Sequence, residues 1–221
     1  MKAFVVLLVL IAHAHADPAA GAQLHYELQS FHDVHDDAMQ PPEGRHLVLA
    51  GVRLHAFIGT RTIAYHIGID LAAGSTIDGG GFAYDVALFP VGGALRFAQT
   101  SFVTLGVGIG ASGALHTVDD AVTFPIEARF EMGRGIRLLG RVRATWVGAA
   151  KERHGGSPSV SFIDELEAMI GLRLGRAYWD FDFPTGNGYF VGAVYREWMG
   201  AQFVGGIIGY SLDMGTPRKP R

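Results

Sequence analysis

The most constraining feature of the sequence is an alternation of apolar and polar side chains with a period of two. Over residues 103–110, valine, leucine and isoleucine occupy the odd positions, and threonine and glycine occupy the even positions. This period is typical of a β-strand with two different faces, and no window competes convincingly as an amphipathic helix. The sequence therefore predicts an all-β fold.

Nine runs of this kind follow one another along the chain. They cover residues 46–58, 61–72, 81–90, 100–112, 121–132, 136–149, 164–175, 187–197 and 201–213. The run at 164–175 also admits a helical interpretation, but we assign a strand because its aliphatic residues fall on one face. Bacterial outer-membrane barrels have an even number of strands, and residues 22–30 supply a tenth candidate. We predict a single antiparallel up-and-down β-barrel of eight to ten strands, with ten favoured.

The beginning of the chain has the composition of a secretory signal peptide. Lys2 supplies a positive charge, residues 3–11 form an apolar segment, and Ala14-His15-Ala16 is a small-x-small cleavage motif. The apolar segment is shorter than the roughly 20 residues that a membrane-spanning helix needs. We predict a signal peptide over residues 1–16, a barrel domain over residues 17–213 and a basic tail over residues 214–221.

Composition excludes several classes of function. The chain has 221 residues, of which 49% are hydrophobic and 18% are charged, with 31 glycines and no cysteine. These values exclude a disordered chain, a disulfide scaffold and any metal or haem site ligated by cysteine. The net charge of −3 gives no reason to expect nucleic-acid binding. No cofactor is predicted, because the G-x-G-x-x-G match at residues 108–113 lacks the following helix of a dinucleotide site.

The composition of the polar face favours a membrane barrel over a soluble one. A soluble barrel turns its apolar face inward, whereas a membrane barrel turns that face to lipid and its polar face to the lumen. The polar face here is rich in glycine and arginine and holds no lysine within the predicted strands. Small residues leave room inside a narrow barrel, and arginine forms enclosed ion pairs with carboxylates. We predict an exported barrel of the bacterial outer membrane, with a soluble periplasmic barrel that binds an apolar ligand as the alternative.

The turn between two of these strands predicts which interior charges face each other. A three-residue loop at residues 133–135 keeps both polar faces inside the barrel. Its register sets Glu131 opposite Arg137 and Glu127 opposite Arg141. Opposite charges directly across a strand pair stabilise it by about 0.2–1 kcal/mol each. The hairpin therefore predicts ion pairs in the interior.

A second turn, with two residues at Gly59-Thr60, sets Arg53 opposite His66. The predicted interior charge network consists of Glu127, Arg129, Glu131, Arg137, Arg141, Arg143, Glu165, Glu167 and Arg173. Further interior polar residues are Arg53, His55, His66 and Asp70. We interpret the network as structural filling of the barrel rather than as a pathway.

The densest polar cluster, at residues 32–37, contains two histidines and three aspartates. His32 and His35 are candidate ligands of one divalent metal ion. Without a helix to fix their spacing, or further evident ligands, we interpret the cluster as a solvated outer loop and predict no metal. A hydrolase or acyltransferase at the barrel rim is a further alternative, but the chain has neither a nucleophile elbow nor an H-E-x-x-H motif. The residues considered for that role are His25, His32, Asp33, His154 and Ser157.

In the number, length and alternation of these strands the chain resembles the small outer-membrane β-barrel proteins, the broad group that includes the OmpA-like and OmpX-like barrels. The resemblance extends over residues 22–213 and is one of pattern. It implies a barrel in the lipid bilayer with a structural or surface-interaction role, or else a narrow pore. We expect a monomer. Members of the group usually end on an aromatic residue of the last strand, whereas this chain continues past Leu212 into the basic tail.

Overall fold

The computed structural model describes residues 18–33, 46–60, 62–77, 81–98, 101–114, 118–133, 135–152, 165–175, 187–198 and 201–215. The strands are β1 (Pro18–Asp33), β2 (His46–Thr60), β3 (Ile63–Thr76), β4 (Phe82–Ala98), β5 (Ser101–Ala114), β6 (Val118–Met132), β7 (Ile136–Glu152), β8 (Glu165–Leu174), β9 (Gly188–Trp198) and β10 (Ala201–Gly215). Across these ranges no helix is long and apolar enough to cross a membrane. The predicted signal peptide, His35 and the end of the basic tail lie outside the described residues.

The ten strands form one closed antiparallel barrel in which each strand pairs with its neighbours in sequence. The pairing of β1 with β10 closes the ring, with Leu24 opposite Leu212 and Phe31 opposite Gly205. The prediction of an all-β, ten-stranded up-and-down barrel is therefore confirmed. The strands hold between 10 and 17 residues, which is enough for a tilted crossing that needs about 9–11.

Side chains alternate between the two faces of each strand. On β2, Leu54 and Ile58 are exposed on the exterior, whereas Arg53 and His55 between them are buried in the interior. Large apolar side chains are exposed on all ten strands. The barrel therefore has an apolar outer surface and a polar core, the reverse of a soluble barrel.

Apolar clusters lie toward both ends of the interior. Phe57, Ala64, Ala94 and Phe102 form one cluster near the end where β2 leads into β3. A larger cluster extends from Phe31, Leu47, Trp198 and Phe203 near the opposite end to Leu139 and Phe190 nearer the first end. Along the interior face of β2 the order is Leu47, Leu49, Gly51, Arg53, His55 and Phe57. On this strand the charged residue therefore lies between the two apolar clusters.

The register between β6 and β7 differs by two residues from the predicted one. Glu131 does not face Arg137, and Glu127 faces Arg143 rather than Arg141. Those two predicted pairings are wrong. Because a slip of two residues keeps every side chain on its own face, the same residues still point into the barrel.

An aromatic–glycine contact accounts for this register. Phe130 lies opposite Gly140 on the exterior, so closely that a Cβ atom on the glycine would overlap the ring. In the predicted register Phe130 would face Leu138 and leave the glycine uncovered. The turn is completed by Gly133, whose φ of 114° lies in the region that favours glycine.

The register between β2 and β3 differs by four residues from the predicted one. Arg53 faces Asp70, so the prediction that it faces His66 is wrong. The strand continues to Thr60, whose Oγ1 accepts a hydrogen bond from the backbone N–H of Ile63 at 3.0 Å. The turn therefore follows Thr60 instead of including it, and the shift brings an arginine opposite a carboxylate.

Strand β4 bulges at Phe89 and Pro90, where its register with β5 shifts. Proline has no backbone N–H, so within sheets it is confined to edges and bulges. On the exterior, the Tyr65 hydroxyl donates a hydrogen bond to the Pro90 carbonyl. On the interior, the fully buried Phe89 ring lies beside His55, with the ring centroids 6.4 Å apart.

Candidate functional site

The candidate site is the charged interior of the barrel. Apart from Arg96, which is half-buried on the interior face at the end where β4 leads into β5, the described interior contains seven acidic and seven basic side chains. The acidic residues are Glu27, Asp70, Asp85, Glu127, Glu131, Glu165 and Glu167, and the basic residues are Arg53, Arg129, Arg137, Arg141, Arg143, Arg173 and Arg196. These opposite charges cancel, so this part of the lumen does not favour ions of one sign.

Arg53 on β2 is the residue with the most carboxylate neighbours. Its Nε donates a hydrogen bond to Glu27 Oε1 at 2.9 Å, and its Nη1 contacts Asp70. The same Nη1 lies 3.4 Å from Glu127 Oε2, and Nη2 lies 3.6 Å from Glu167 Oε1. A guanidinium suits this position because its donors spread in a planar fork toward several acceptors at once.

Arg141 on β7 shares two of these carboxylates. Its Nε donates to Glu167 Oε1 at 2.7 Å, and its Nη1 donates to Glu27 Oε2 at 3.3 Å. Glu27 and Glu167 therefore each contact both Arg53 and Arg141. These four side chains come from β1, β2, β7 and β8, so they connect walls of the barrel that are not adjacent in the sheet.

A further part of the network connects β4 with β7 and β9. Asp85 accepts hydrogen bonds from Arg143 Nη2 at 2.8 Å and from Arg196 Nη2 at 2.5 Å. Arg196 Nη1 also lies 3.4 Å from Glu167 Oε2, which joins this group to the first one. The Arg196 guanidinium stacks 3.9 Å above the Trp198 ring, an additional cation–π contact.

Glu131 holds two arginines near the end of the barrel where β6 leads into β7. Its Oε1 lies 3.0 Å from Arg137 Nε and 2.9 Å from Arg173 Nη1. Arg137 and Arg173 face each other directly across β7 and β8. Like charges in that position repel, and the shared carboxylate offsets their repulsion.

Two histidines extend the network around Asp70. His55 Nε2 lies 2.8 Å from Asp70 Oδ1, and His55 Nδ1 lies 2.6 Å from His66 Nε2. Possible metal-ligand atoms of His55, Asp70 and Glu127 lie within 4.8 Å of one another. However, Arg53 already places its positive charge against both of these carboxylates. The ion pairs account for this group, and we assign no metal to it.

Of the residues considered for a hydrolase, the structure describes the side chains of His25 and His32, which lie on opposite faces of β1. His25 is buried in the interior, where its Nδ1 lies 2.7 Å from Ser211 Oγ. His32 is exposed on the other face of β1. The side chain of Asp33, together with all of His154 and Ser157, lies outside what the structure describes.

The structure places the predicted interior residues inside the barrel. Of the predicted charged residues, Arg129 is the most accessible, with 13% of its side chain exposed. Glu27, Asp85 and Arg196 also belong to the network, although they are not among its predicted members. Each lies within a predicted strand, and strict alternation along that strand would have placed it inside. What alternation does not reveal is which residues meet across the lumen.

The interior is filled by side chains, with cavities the size of water molecules between them. One cavity, lined by residues that include His25, Glu27, Arg129 and Arg141, has a volume of about 30 Å³. Another lies beside Glu165 and measures about 10 Å³. Because a water molecule needs roughly 10–15 Å³ by this measure, the first cavity has room for about two or three waters and the second for about one.

A closed antiparallel barrel with an apolar exterior and a charged interior has the architecture of a transmembrane β-barrel. No protein-family model and no curated protein matches the chain. Among solved structures it is similar to the translocator domain of the autotransporter NalP from Neisseria meningitidis, with 9% identity and a TM-score of 0.33 over 96% of this chain and 94% of that one. It is also similar to Pseudomonas aeruginosa OpdO, with 8% identity and a TM-score of 0.23 over 90% and 97% of the two chains. At these scores nothing known of either protein is carried over to this chain.

Proposed function

We propose that the protein is a monomeric β-barrel of the bacterial outer membrane with a structural or surface-interaction role and a lumen closed to solutes. The observation that carries this proposal is the network of buried ion pairs that crosses the interior. The apolar exterior supports the location, and the network supports the closed lumen.

The exterior favours lipid over water as its surroundings. Side chains such as Leu105, Ile109 and Ile208 are about half exposed, and comparable apolar side chains are exposed on every strand. Soluble monomers rarely expose continuous apolar patches of more than a few hundred Å². A soluble barrel for an apolar ligand is less well supported, because the interior holds charges where such a ligand would bind.

The interior favours closure over conduction. Glu27 and Glu167 are each held by Arg53 and Arg141 from other strands, so a solute would have to separate these pairs in order to pass. Breaking a buried ion pair by removing one partner costs about 3–5 kcal/mol. A narrow pore, the other role that the resemblance implies, would need a continuous gap between these groups.

Three measurements on the purified full chain test the proposal. We expect the folded protein to require detergent, to migrate differently on a gel before and after heating, and to show no steady ion conductance in planar bilayers. The double variant Glu27→Ala/Arg141→Ala keeps the charge balance but removes one bridge across the lumen, and we expect it to conduct. Recovery as a water-soluble monomer would refute the membrane location, and steady conductance of the unchanged chain would refute the closed lumen.

The proposal includes no catalytic role. The contrary hypothesis, a hydrolase or acyltransferase at the rim, is tested with lipid and peptide substrates. Turnover that disappears when His32 and His35 are replaced by alanine, while the gel migration of the folded barrel is retained, would establish an enzyme instead.

A further inference from the structure

Two histidines meet on the exterior of the barrel, at the end where β1 leads toward β2. His32 and His46 are direct partners in the antiparallel pairing of these strands, and both are exposed. Their Nδ1 atoms lie 3.4 Å apart, and their ring centroids lie 4.7 Å apart. The strand pair therefore holds two ring nitrogens side by side at the surface.

The distance between these nitrogens fits a shared metal ion better than a hydrogen bond. Hydrogen bonds from N–H donors are usually about 2.7–3.2 Å long. A tetrahedral zinc ion with Zn–N bonds of about 2.0–2.1 Å separates two of its ligand nitrogens by roughly 3.3–3.4 Å. Ligands at a right angle, as around an octahedral ion, would be only about 2.9 Å apart for the same bond length.

We propose that His32 and His46 form a two-histidine site for a divalent transition metal ion, bound through the Nδ1 atom of each ring, with Zn²⁺ as the best geometric match. Neutral imidazole is a preferred ligand of zinc, copper and nickel. Water completes the coordination. The pairing of the two strands holds the two side chains next to each other.

The described side chains beside the pair on the exterior leave its nitrogens available to a cation. At the neighbouring exterior positions of the ladder lie Ser30, Val48 and Val204, which are uncharged. The interior group of His55, Asp70 and Glu127 differs in this respect, because Arg53 already contacts its carboxylates. The exterior pair is therefore the better metal site, although it has fewer protein ligands.

The location of the pair indicates which side of the membrane supplies the ion. Three of the four connections at the opposite end are short (61–62, 99–100 and 133–135), whereas the end with the pair carries two 12-residue connections (34–45 and 153–164) as well as short ones such as 199–200. In outer-membrane barrels short turns face the periplasm. On the proposed orientation the site is at the outer rim, where it is open to ions from the cell exterior.

The test is equilibrium dialysis of the full chain, folded in detergent, against Zn²⁺ alone. We expect His32→Gln and His46→Gln each to weaken one bound zinc by at least about tenfold, since even loss of a group that only supports a ligand costs about 10–100-fold. The control variant is His154→Gln, which removes a histidine distant from the pair in sequence and should leave this zinc unchanged. Gel migration before and after heating establishes that each variant is folded.

A second measurement tests the geometry. Co²⁺ in place of Zn²⁺ should show the intense visible absorption of a tetrahedral ion, and that absorption should disappear in His32→Gln and in His46→Gln. The proposal is overturned if the unchanged chain binds no zinc, if either of these two variants binds it as tightly, or if the control loses it equally. A weak octahedral Co²⁺ spectrum would overturn the tetrahedral assignment. None of these outcomes bears on whether the lumen conducts, so the site and the proposed function are tested separately.

Discussion

Replacement of Arg53 by methionine is the sharpest test of the interior network. The substitution keeps a long side chain but removes the guanidinium that lies against Glu27, Asp70, Glu127 and Glu167. Apart from Arg96 at the end of the barrel, it also changes the described interior charges from seven acidic and seven basic residues to seven acidic and six basic.

The expected loss of stability follows from these contacts. Removing one partner of a buried ion pair costs about 3–5 kcal/mol, because the other charge remains buried without compensation. Glu27 and Glu167 retain Arg141, but Asp70 keeps only the contact with His55 among its described partners. We therefore expect Arg53→Met to lower the free energy of unfolding by about 3–5 kcal/mol.

The assay is urea unfolding of the full chain in lipid vesicles, followed by tryptophan fluorescence and by gel migration. The matched control is Arg129→Met. Arg129 lies on the same interior face, but it is more exposed and its Nε lies 3.5 Å from Glu127 Oε1. We expect this control to lose distinctly less stability. Arg53→Lys keeps the charge without the planar fork, and it should fall between the two.

One result would refute the reasoning. The free energy of unfolding of Arg53→Met could lie within about 1 kcal/mol of that of the unchanged chain, or Arg53→Met could unfold at the same urea concentration as Arg129→Met. In either case the network does not supply stability at this site. Methionine would then fill the space as well as the ion pairs do, as happens when some buried pairs are replaced by apolar residues.

Three further predictions use the same unfolding assay. Tyr65→Phe removes the hydroxyl that satisfies the Pro90 carbonyl at the bulge, and because lipid offers no replacement donor we expect a loss of about 1–3 kcal/mol. Gly140→Ala places a Cβ atom in the Phe130 ring, and this overpacking should cost about 1–3 kcal/mol. Gly133→Ala forces alanine into a φ of 114°, which should cost about 1–3 kcal/mol.

Each of these changes has a control of the same kind. Tyr26→Phe alters another exposed tyrosine of the exterior. Gly93→Ala and Gly135→Ala add a Cβ atom where nothing lies within 4 Å. If the controls lose as much stability as the matched variants, then the hydroxyl contact, the ring contact and the backbone conformation are not the causes.

The sequence was sufficient to predict the faces of the strands but not their registers. Alternation placed Glu127, Arg141 and Arg143 on an interior face, and they lie there in the structure. The partners were wrong because the β6–β7 register is displaced by two residues from the predicted one. An even displacement exchanges partners without exchanging faces. The predicted polar interior is therefore correct, although the predicted pairings are wrong.

The causes of the displaced registers lie in contacts that a turn motif does not encode. Thr60 continues β2 because its hydroxyl accepts a hydrogen bond from the N–H of Ile63. Phe130 covers Gly140 across the strand pair. A proline inside an alternating run, such as Pro90, indicates a bulge. The size of the bulge depends on the neighbouring strands.

The pairing of His32 with His46 shows the same limit at the rim. The sequence drew attention to His32 and His35 because they are close in the chain. The partner in the structure is His46, which lies across β1 and β2. A motif search along the chain does not find such a pair, because the two residues are 14 positions apart.

The ion pairs across the lumen also bear on how the barrel reaches its closed form. Glu27 and Arg141 are 114 residues apart in sequence, and Asp85 and Arg196 are 111 apart. Contacts of such long range form late, because the entropy of the intervening chain must be lost first. In an open sheet these side chains remain hydrated, and their ion pairs across the lumen add no stability until β1 pairs with β10. These ion pairs then form together when the barrel closes. The pairing of β1 with β10, which forms last, should therefore also be the slowest to separate.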